Sequence, residues 1–225
     1  MEWKFSKKQL LPPVLSGSTL KWIAIVTMLI DHIGCILFPD VIIFRAIGRI
    51  AFPIFCFLIV EGFFHTRNTW NYLIRLFVFA IVSEIPFDLA FHGTLFYWQS
   101  QNVFFTLALG LCALFCLEEL NTRRVFAIPF SLIIAIAYFS NCDYGAGGVL
   151  LICVFYLTKE NKIIQCLLIA LLLYLCFGTF ELYGLIALIP ILLYNGKRGP
   201  SIKMFFYWFY PIHLLALYLI TVYLI

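Results

Sequence analysis

The chain has 225 residues and a formal net charge of +4, and 64% of its residues are hydrophobic while only 12% are charged. About a quarter of the residues of a soluble domain are charged, so this composition excludes an ordinary soluble protein. Apolar runs long enough to cross a hydrocarbon core of ~30 Å recur from residue 20 onward, without the alternation of a membrane β-barrel. We therefore predict an all-α fold, a polytopic transmembrane helix bundle.

Breaks at charged residues, Gly, Pro and Asn divide the chain into nine predicted spans, and no polar linker separates them. We predict one domain over residues 1–225. Residues 1–19 show no cleavage site after the apolar run, which predicts a retained cytoplasmic or interfacial lead-in. The spans are 20–38, 41–64, 71–92, 102–118, 125–140, 144–158, 163–178, 181–195 and 203–223.

The basic residues predict the orientation of these spans. With the N-terminus in the cytoplasm, every Lys and Arg except Arg45 and Arg49 falls on or near a cytoplasmic end, including Lys4, Lys7 and Lys8. This is the asymmetry of the positive-inside rule, and nine spans then place the C-terminus outside. Topology and attraction to anionic membrane lipid account for the net charge, so we expect no nucleic acid partner.

Ionisable residues also occur inside the predicted spans, where they usually face the bundle interior and pair with one another. The stretch "TMLIDHIGCILF" places Asp31 and His32 near the middle of the first span. The others lie in the outer half of the membrane or at mid-depth, and five or more helices contribute them. They are Arg45, Arg49, Glu84, Asp88, Asn102, Asp143, Glu181, Tyr210 and His213.

A purely structural role is the alternative for several of these residues. Arg45 and Arg49 lie on one helical face and could pair with Glu84 and Asp88 to hold the bundle together. Asp143 and Glu181 are interpreted as solvated loop residues, and His213 as a helix–helix hydrogen-bond donor. Asp31 and His32 point about 100° apart on a helix, so one surface contact cannot satisfy both.

His32 is the candidate general base, because a neutral histidine oriented by an acid such as Asp31 is suited to accept a proton. The nearby arginines suit an anionic group or a developing oxyanion. The chain has no nucleophile elbow and no phosphate-binding glycine motif, and its His and acid spacing matches no zinc motif, so we expect no metal. The eight cysteines are interpreted as small buried hydrophobes, and "GAGG" at 145–148 as a close helix-packing site.

Five segments in order resemble the TraX family of membrane proteins. They are "LKWIAIVTMLIDHIGCILF", "FRAIGRIAFPIFCFLIVEGFFHTRN", "YLIRLFVFAIVSEIPFDLAF", "QNVFFTLALG" and "FYWFYPIHLLAL". The resemblance weakens between about 111 and 200. It implies an integral protein of the bacterial inner, cytoplasmic membrane, in a family associated with N-terminal acetylation of conjugative pilin subunits.

The chain is also similar, more distantly, to type 3 membrane acyltransferases. Their first helix carries a basic residue, ten intervening residues and a histidine, a spacing that Lys21 and His32 reproduce with lysine in place of the commoner arginine. This likeness implies that His32 is the catalytic base and Lys21 a cytoplasmic contact for an acyl-CoA donor. We predict that Lys21 and Arg75 bind acetyl-CoA.

The resulting hypothesis is an acetyl-CoA-dependent O- or N-acyltransferase. Asp31 would poise His32, while Arg49, Tyr210 and His213 complete the catalytic group, and Arg49 or Tyr210 would stabilise the oxyanion. The acceptor, a pilin peptide, a glycan or a small molecule, would enter from the outer half. Its predicted network consists of Arg45, Glu84, Asp88 and Asn102.

Two other classes of protein remain open. Buried carboxylates, histidine and arginine are also the materials of a proton-coupled transporter. Against it, the chain shows no internal repeat with matching broken segments in two halves. A structural or chaperone role in a secretion apparatus is the third reading.

Overall fold

The computed structural model describes residues 11–120, 122–200 and 203–224. Lys4, Lys7 and Lys8, and with them half of the predicted lead-in, lie outside these ranges. The described residues are helical, with β-bridges only as isolated pairs, which confirms the all-α prediction. The α-helices are α1 (Gly17–Leu37), α2 (Ile42–Gly48), α3 (Ala51–His65), α4 (Thr69–His92), α5 (Val103–Leu120), α6 (Ala127–Phe139), α7 (Gly145–Leu157), α8 (Lys162–Phe177), α9 (Leu188–Leu192) and α10 (Lys203–Leu224).

Each predicted span corresponds to a helical segment, with bounds that agree to within a few residues. Two 3-10 segments, Arg124–Phe126 and Thr179–Ala187, extend α6 and α9 at their N-termini. In the described part of the chain, four segments are long and apolar enough to cross a membrane. They are Gly17–Leu37, Ile42–His65, Val103–Leu120 and Met204–Tyr223. The chain is thus a helical membrane protein.

The remaining segments are shorter or more polar than these four. The helix α4 has 24 residues but carries Arg75, Glu84 and Asp88. The helices α6 and α8 have 13 and 16 residues. At a rise of 1.5 Å per residue they extend roughly 20 and 24 Å, against roughly 32 Å for the 21 residues of α1. Both expose large apolar side chains, such as Ile128 on α6 and Leu167 on α8.

The second predicted span is broken at Arg49 and Ile50, between α2 and α3. Pro53 causes the break, since it has no N–H to donate to the Arg49 carbonyl and its ring would clash with that carbonyl in a continuous helix. The backbone of Gly184 approaches the displaced carbonyl so closely that a Cβ at position 184 would lie 3.0 Å from the oxygen. The missing side chain at position 184 therefore lets the segment that carries Glu181 approach the end of α2 at Arg49.

That segment, Thr179–Ala187, is a nine-residue 3-10 helix. Such helices rise about 2.0 Å per residue and are uncommon at this length. It follows Gly178, whose φ of 86° ends α8 in a conformation that favours glycine. The expectation that Glu181 is a solvated loop residue is wrong, because the segment turns inward and leaves Glu181 only 8% exposed.

Backbone hydrogen bonds join loops that the predicted alternation of spans places on the same side. Gly17 and Ser18 at the start of α1 donate to the carbonyls of Lys197 and Arg198, at 2.8 and 2.9 Å. At the opposite side, the Asp143 N–H donates to the Gln101 carbonyl at 2.9 Å. These contacts hold the two pairs of loops together at the two ends of the bundle.

Local sequence accounts for several helix ends and close contacts. Ser16 caps α1 by accepting from the Thr19 N–H, and Asn68 and Asn161 cap α4 and α8 in the same way. In the "GAGG" segment, a Cβ at Gly148 would overlap side chains of Phe52 and Thr106. The interpretation of this segment as a close packing site is confirmed.

Candidate functional site

Asp31 is the centre of an ion-pair cluster between α1, α2 and the 3-10 segment. Its carboxylate accepts from Arg45 Nη1 at 2.7 Å and from Arg49 Nη2 at 2.9 and 3.0 Å. Arg49 Nη1 also donates to Glu181 Oε1 at 2.5 Å. Two positive and two negative charges thus balance one another inside the bundle, as buried charges must if they are to be tolerated.

The alternative that Arg45 and Arg49 pair with Glu84 and Asp88 is wrong. Glu84 instead accepts from the side chain of Asn102 at 2.5 Å. Asp88 accepts from the Tyr97 backbone N–H at 2.9 Å through Oδ2, while its buried Oδ1 has no hydrogen-bond partner among the described residues. The predicted acceptor-side residues therefore do not form one network: Arg45 contacts Asp31, Glu84 contacts Asn102, and Asp88 contacts the backbone of Tyr97.

Asn102 orders the N-terminus of α5. Its side-chain nitrogen donates to the Ala80 carbonyl at 2.7 Å as well as to Glu84, and its oxygen accepts from the Phe104 N–H at 3.0 Å. Asn102 is fully buried, with both ends of its amide hydrogen-bonded. These hydrogen bonds hold the start of α5 against α4.

Gly48 allows α2 to approach α1 at the ion-pair cluster. A Cβ at this position would overlap the carboxylate and Cβ of Asp31. At Gly34, between the same two helices, a Cβ would instead overlap the Phe44 side chain. The absence of a side chain at position 48 is therefore a condition for the contact between Asp31 and the two arginines.

We expect Gly48→Ala to displace the Asp31 carboxylate and to break its ion pairs, at a cost on the order of 1–3 kcal/mol in the free energy of unfolding. The matched control is Gly34→Ala, which crowds the same helix pair away from the charges. Thermal unfolding in detergent should show destabilisation for both variants. If the acetyl-transfer hypothesis holds, transfer should be lost only for Gly48→Ala, and equal transfer by the two variants would contradict this role of Gly48.

His32 contacts another histidine rather than an acid. Its Nδ1 lies 2.7 Å from Nε2 of His213 on α10, and the two ring planes are within 3° of parallel. Phe91 and Tyr210 also contact the His32 ring, which they meet edge-on at centroid distances of 5.4 and 5.9 Å. The hypothesis that Asp31 orients His32 is not supported by a contact, since Asp31 is occupied by the two arginines.

The hydrogen bonds around His213 assign the protons of the pair. His213 Nδ1 lies 2.7 Å from the Phe209 carbonyl oxygen, which can only accept, so Nδ1 carries the hydrogen. In the neutral ring Nε2 then has the lone pair, and His32 Nδ1 must donate to it. The remaining nitrogen of a neutral His32, Nε2, is thereby left unprotonated.

Two cavities meet beside this histidine pair. The larger, of about 410 Å³, is lined at one end by Lys21, His65, Arg75 and Arg198. The smaller, of about 240 Å³, is lined by the ion-pair residues Asp31, Arg45 and Arg49, and by His32. Four residues line both cavities and form their common wall: Met28, Phe55, Val103 and Tyr210.

The residues predicted to bind acyl-CoA, Lys21 and Arg75, both line the larger cavity. Lys21 Nζ lies 5.5 Å from the ring centre of Phe206, and the Arg75 guanidinium lies 5.9 Å from that of Tyr72. Aromatic faces attract cations at such distances. One end of the larger cavity is therefore cationic, although its other walls are mostly apolar side chains.

Two buried acids were not singled out from the sequence as members of the site. Glu181 belongs to the ion-pair cluster, and Glu61 lines the larger cavity. The burial of Glu61 could have been predicted from the sequence, because Glu61 is a lone carboxylate inside the apolar run "FCFLIVEGFF". The burial of Glu181 could not be predicted, because it depends on the unusual 3-10 course of its segment. Across the described residues, no group of three or more His, Cys, Asp or Glu could hold a metal ion.

The fold and this cluster define a class: a polytopic helical membrane protein with a histidine pair and an ion-pair cluster beside two adjoining cavities. The model of the TraX protein family matches residues 16–221. The chain belongs to the TraX family, and the resemblance predicted from its sequence is confirmed.

Two curated proteins are similar to the chain. One, a probable fimbrial assembly protein FimC of serogroup H1 from Dichelobacter nodosus, is 33% identical over 233 residues, covering 90% of this chain and 94% of that protein. The other, the uncharacterized protein RP591 from Rickettsia prowazekii (strain Madrid E), is 26% identical over 167 residues, covering 72% of this chain and 64% of that protein. No solved structure matches the chain significantly.

Proposed function

We propose that this protein is a membrane-embedded acyltransferase that moves an acetyl group from acetyl-CoA to an amine or hydroxyl acceptor. The observation that carries the proposal is the position of His32, which lines the smaller cavity beside its common wall with the larger one. A donor in one cavity and an acceptor in the other would meet at this base. His32 is 9% exposed and does not face lipid.

In the proposed step, His32 Nε2 takes the proton of the acceptor N–H or O–H as the acceptor atom bonds to the thioester carbonyl carbon. The C–S bond then breaks, and the departing thiolate takes that proton from the imidazolium. The products are the acetylated acceptor and the free thiol of CoA, and His32 is again neutral. His213 acts as a positioning residue, since its Nε2 holds the His32 ring in the required tautomer.

The larger cavity suits the donor. Its Lys21, Arg75 and Arg198 would meet the phosphates of CoA, and its apolar walls suit the extended arm that leads to the thioester. With the N-terminus in the cytoplasm and nine spans, this cationic end faces the compartment where acetyl-CoA is made. That orientation, in the bacterial cytoplasmic membrane, is part of the proposal.

The smaller cavity suits the acceptor and the oxyanion. Arg45 is a third exposed and uses one nitrogen on Asp31, so it retains free donors, whereas Arg49 is bound on both terminal nitrogens. We therefore assign the oxyanion contact to Arg45 or to the Tyr210 hydroxyl ahead of Arg49. The fimbrial assembly relative supports a pilin amino terminus as the acceptor, with glycans and small molecules as the alternatives.

The transporter remains the second candidate, because two cavities that share a wall beside a histidine pair are also the outline of an alternating-access path. The two proposals differ in covalent chemistry. Purified protein is incubated with labelled acetyl-CoA and a pilin-derived peptide, and the same peptide with a blocked amino terminus is the matched control. We expect thiol release and label on the free peptide only. Proton-coupled flux in proteoliposomes, without thiol release, would replace the enzyme by the transporter.

A further inference from the structure

Glu61 is a buried carboxylate for which the mechanism above has no use. It lies on α3, is 5% exposed and lines the larger cavity. Its Oε2 accepts from the Tyr194 hydroxyl at 2.8 Å and lies 3.7 Å from His65 Nδ1. Its Oε1 is buried and has no hydrogen-bond partner within the described structure. A buried oxygen without a hydrogen bond destabilises the folded protein, so a bound ligand that donates a hydrogen bond to it would be stabilising.

The position of Glu61 along the cavity restricts which part of a ligand could do so. Glu61 lies one helical turn, about 6 Å, inward from His65 at the cationic end. It lies six residues, about 9 Å, from Phe55 in the wall shared with the smaller cavity. A ligand that spans the cavity with its anionic end near Lys21 therefore passes Glu61 at its middle.

A carboxylate in this place selects against phosphate and in favour of an N–H donor. The phosphopantetheine arm has such a pattern, with a phosphate at one end, amide N–H groups along its length and a thiol at the other end. We propose that Glu61 Oε1 accepts a hydrogen bond from an amide N–H of this arm. This inference rests on the proposed function, and it makes Glu61 a positioning residue that recognises the arm rather than the nucleotide.

The test measures the affinity of the purified, full-length protein for three probes: CoA, 4′-phosphopantetheine, and 3′,5′-ADP, which lacks the arm. We expect Glu61→Leu to weaken phosphopantetheine binding by about 10- to 100-fold, the loss of one hydrogen bond to a charged group. Binding of 3′,5′-ADP should be unchanged or tighter, since a negative charge has left a cationic cavity. A loss of affinity for phosphopantetheine without a loss for 3′,5′-ADP would not arise from misfolding of the variant.

Two further variants separate ligand recognition from structure. Glu61→Gln keeps a neutral acceptor and should lose less phosphopantetheine affinity than Glu61→Leu, because charged acceptors form the stronger bonds. Tyr194→Phe removes the hydrogen bond to Oε2 and leaves Oε1 in place, so it should change phosphopantetheine affinity by less than about threefold. An equal loss for Tyr194→Phe and Glu61→Leu would overturn the proposal in favour of a structural pair.

The outcomes also separate this inference from the proposed function. If the unmodified protein binds neither CoA nor phosphopantetheine, the acyltransferase itself fails. If it binds both and Glu61→Leu binds them equally well, only the role of Glu61 fails. The ratio of the two affinities identifies the source of the arm: CoA bound at least tenfold more tightly indicates free acyl-CoA, and equal affinities indicate an arm carried on a protein.

Discussion

Replacing His32 by Gln is expected to lower the rate of acetyl transfer by about 10²- to 10⁴-fold, which is the contribution of a positioned general base. The glutamine amide can still donate to His213 Nε2, as His32 Nδ1 does at 2.7 Å, but it has no basic nitrogen to accept the acceptor's proton. Initial rates with labelled acetyl-CoA give the effect. CoA affinity and the unfolding temperature should stay near those of the unmodified protein.

His213→Ala is the companion variant. It leaves the base in place but removes the atom that holds its ring, so we expect a smaller loss in kcat with little change in the KM for acetyl-CoA. A His32→Gln protein that keeps more than about a tenth of the rate would reject His32 as the base. A His213→Ala protein with an unchanged kcat would reject the positioning role.

Replacing Asp31 by Ala is expected to cost about 3–5 kcal/mol in the free energy of unfolding, since it leaves two arginines near the bundle interior without their shared partner. Most of this loss should come from Arg49, because its side chain is only 11% exposed whereas that of Arg45 is 33% exposed. Unfolding monitored by heat and by denaturant in a fixed detergent gives the loss.

The matched comparison is a double-mutant cycle that combines Asp31→Ala with Arg45→Gln. This single change should cost well under half as much as Asp31→Ala, because Asp31 keeps Arg49 and the removed charge was partly solvated. The double variant should be less destabilised than the sum of the two singles, since their pairing is lost only once. Strict additivity would show that the contact between Asp31 and Arg45 contributes nothing to stability.

The helices could be predicted from the sequence, because they depend on local patterns. Apolar length and breaks located the nine segments, and the charges inside them had to face the interior. The contact between His32 and His213 agrees with a count of residues along α1 and α10, which places both at one level of the bundle. The number of helices can therefore be predicted from local patterns in a single sequence.

The partners of the charges could not be predicted, because they depend on which helices pack together. Asp31 pairs with Arg45 and Arg49 since Gly48 lets α2 approach α1, and Glu84 pairs with an amide because α4 packs on α5. The spacing of the charges along the chain is equally consistent with these pairs and with the predicted pairing of the arginines with Glu84 and Asp88. Glu181 was assigned to solvent because a 3-10 helix that turns inward has no distinctive sequence pattern.

The unequal helix lengths have a consequence for the lipid around the protein. The length of α1 matches a bilayer core of ~30 Å, whereas α8 is shorter than that core by roughly 6 Å. The helix α6 is shorter by roughly 4–5 Å when its 3-10 extension Arg124–Phe126 is included. The lipid tails beside these two helices must compress or tilt, at a cost of fractions of a kcal/mol per Å. We therefore expect the bilayer to be thinner beside these two helices than beside α1, and the protein to favour membranes that are already thin.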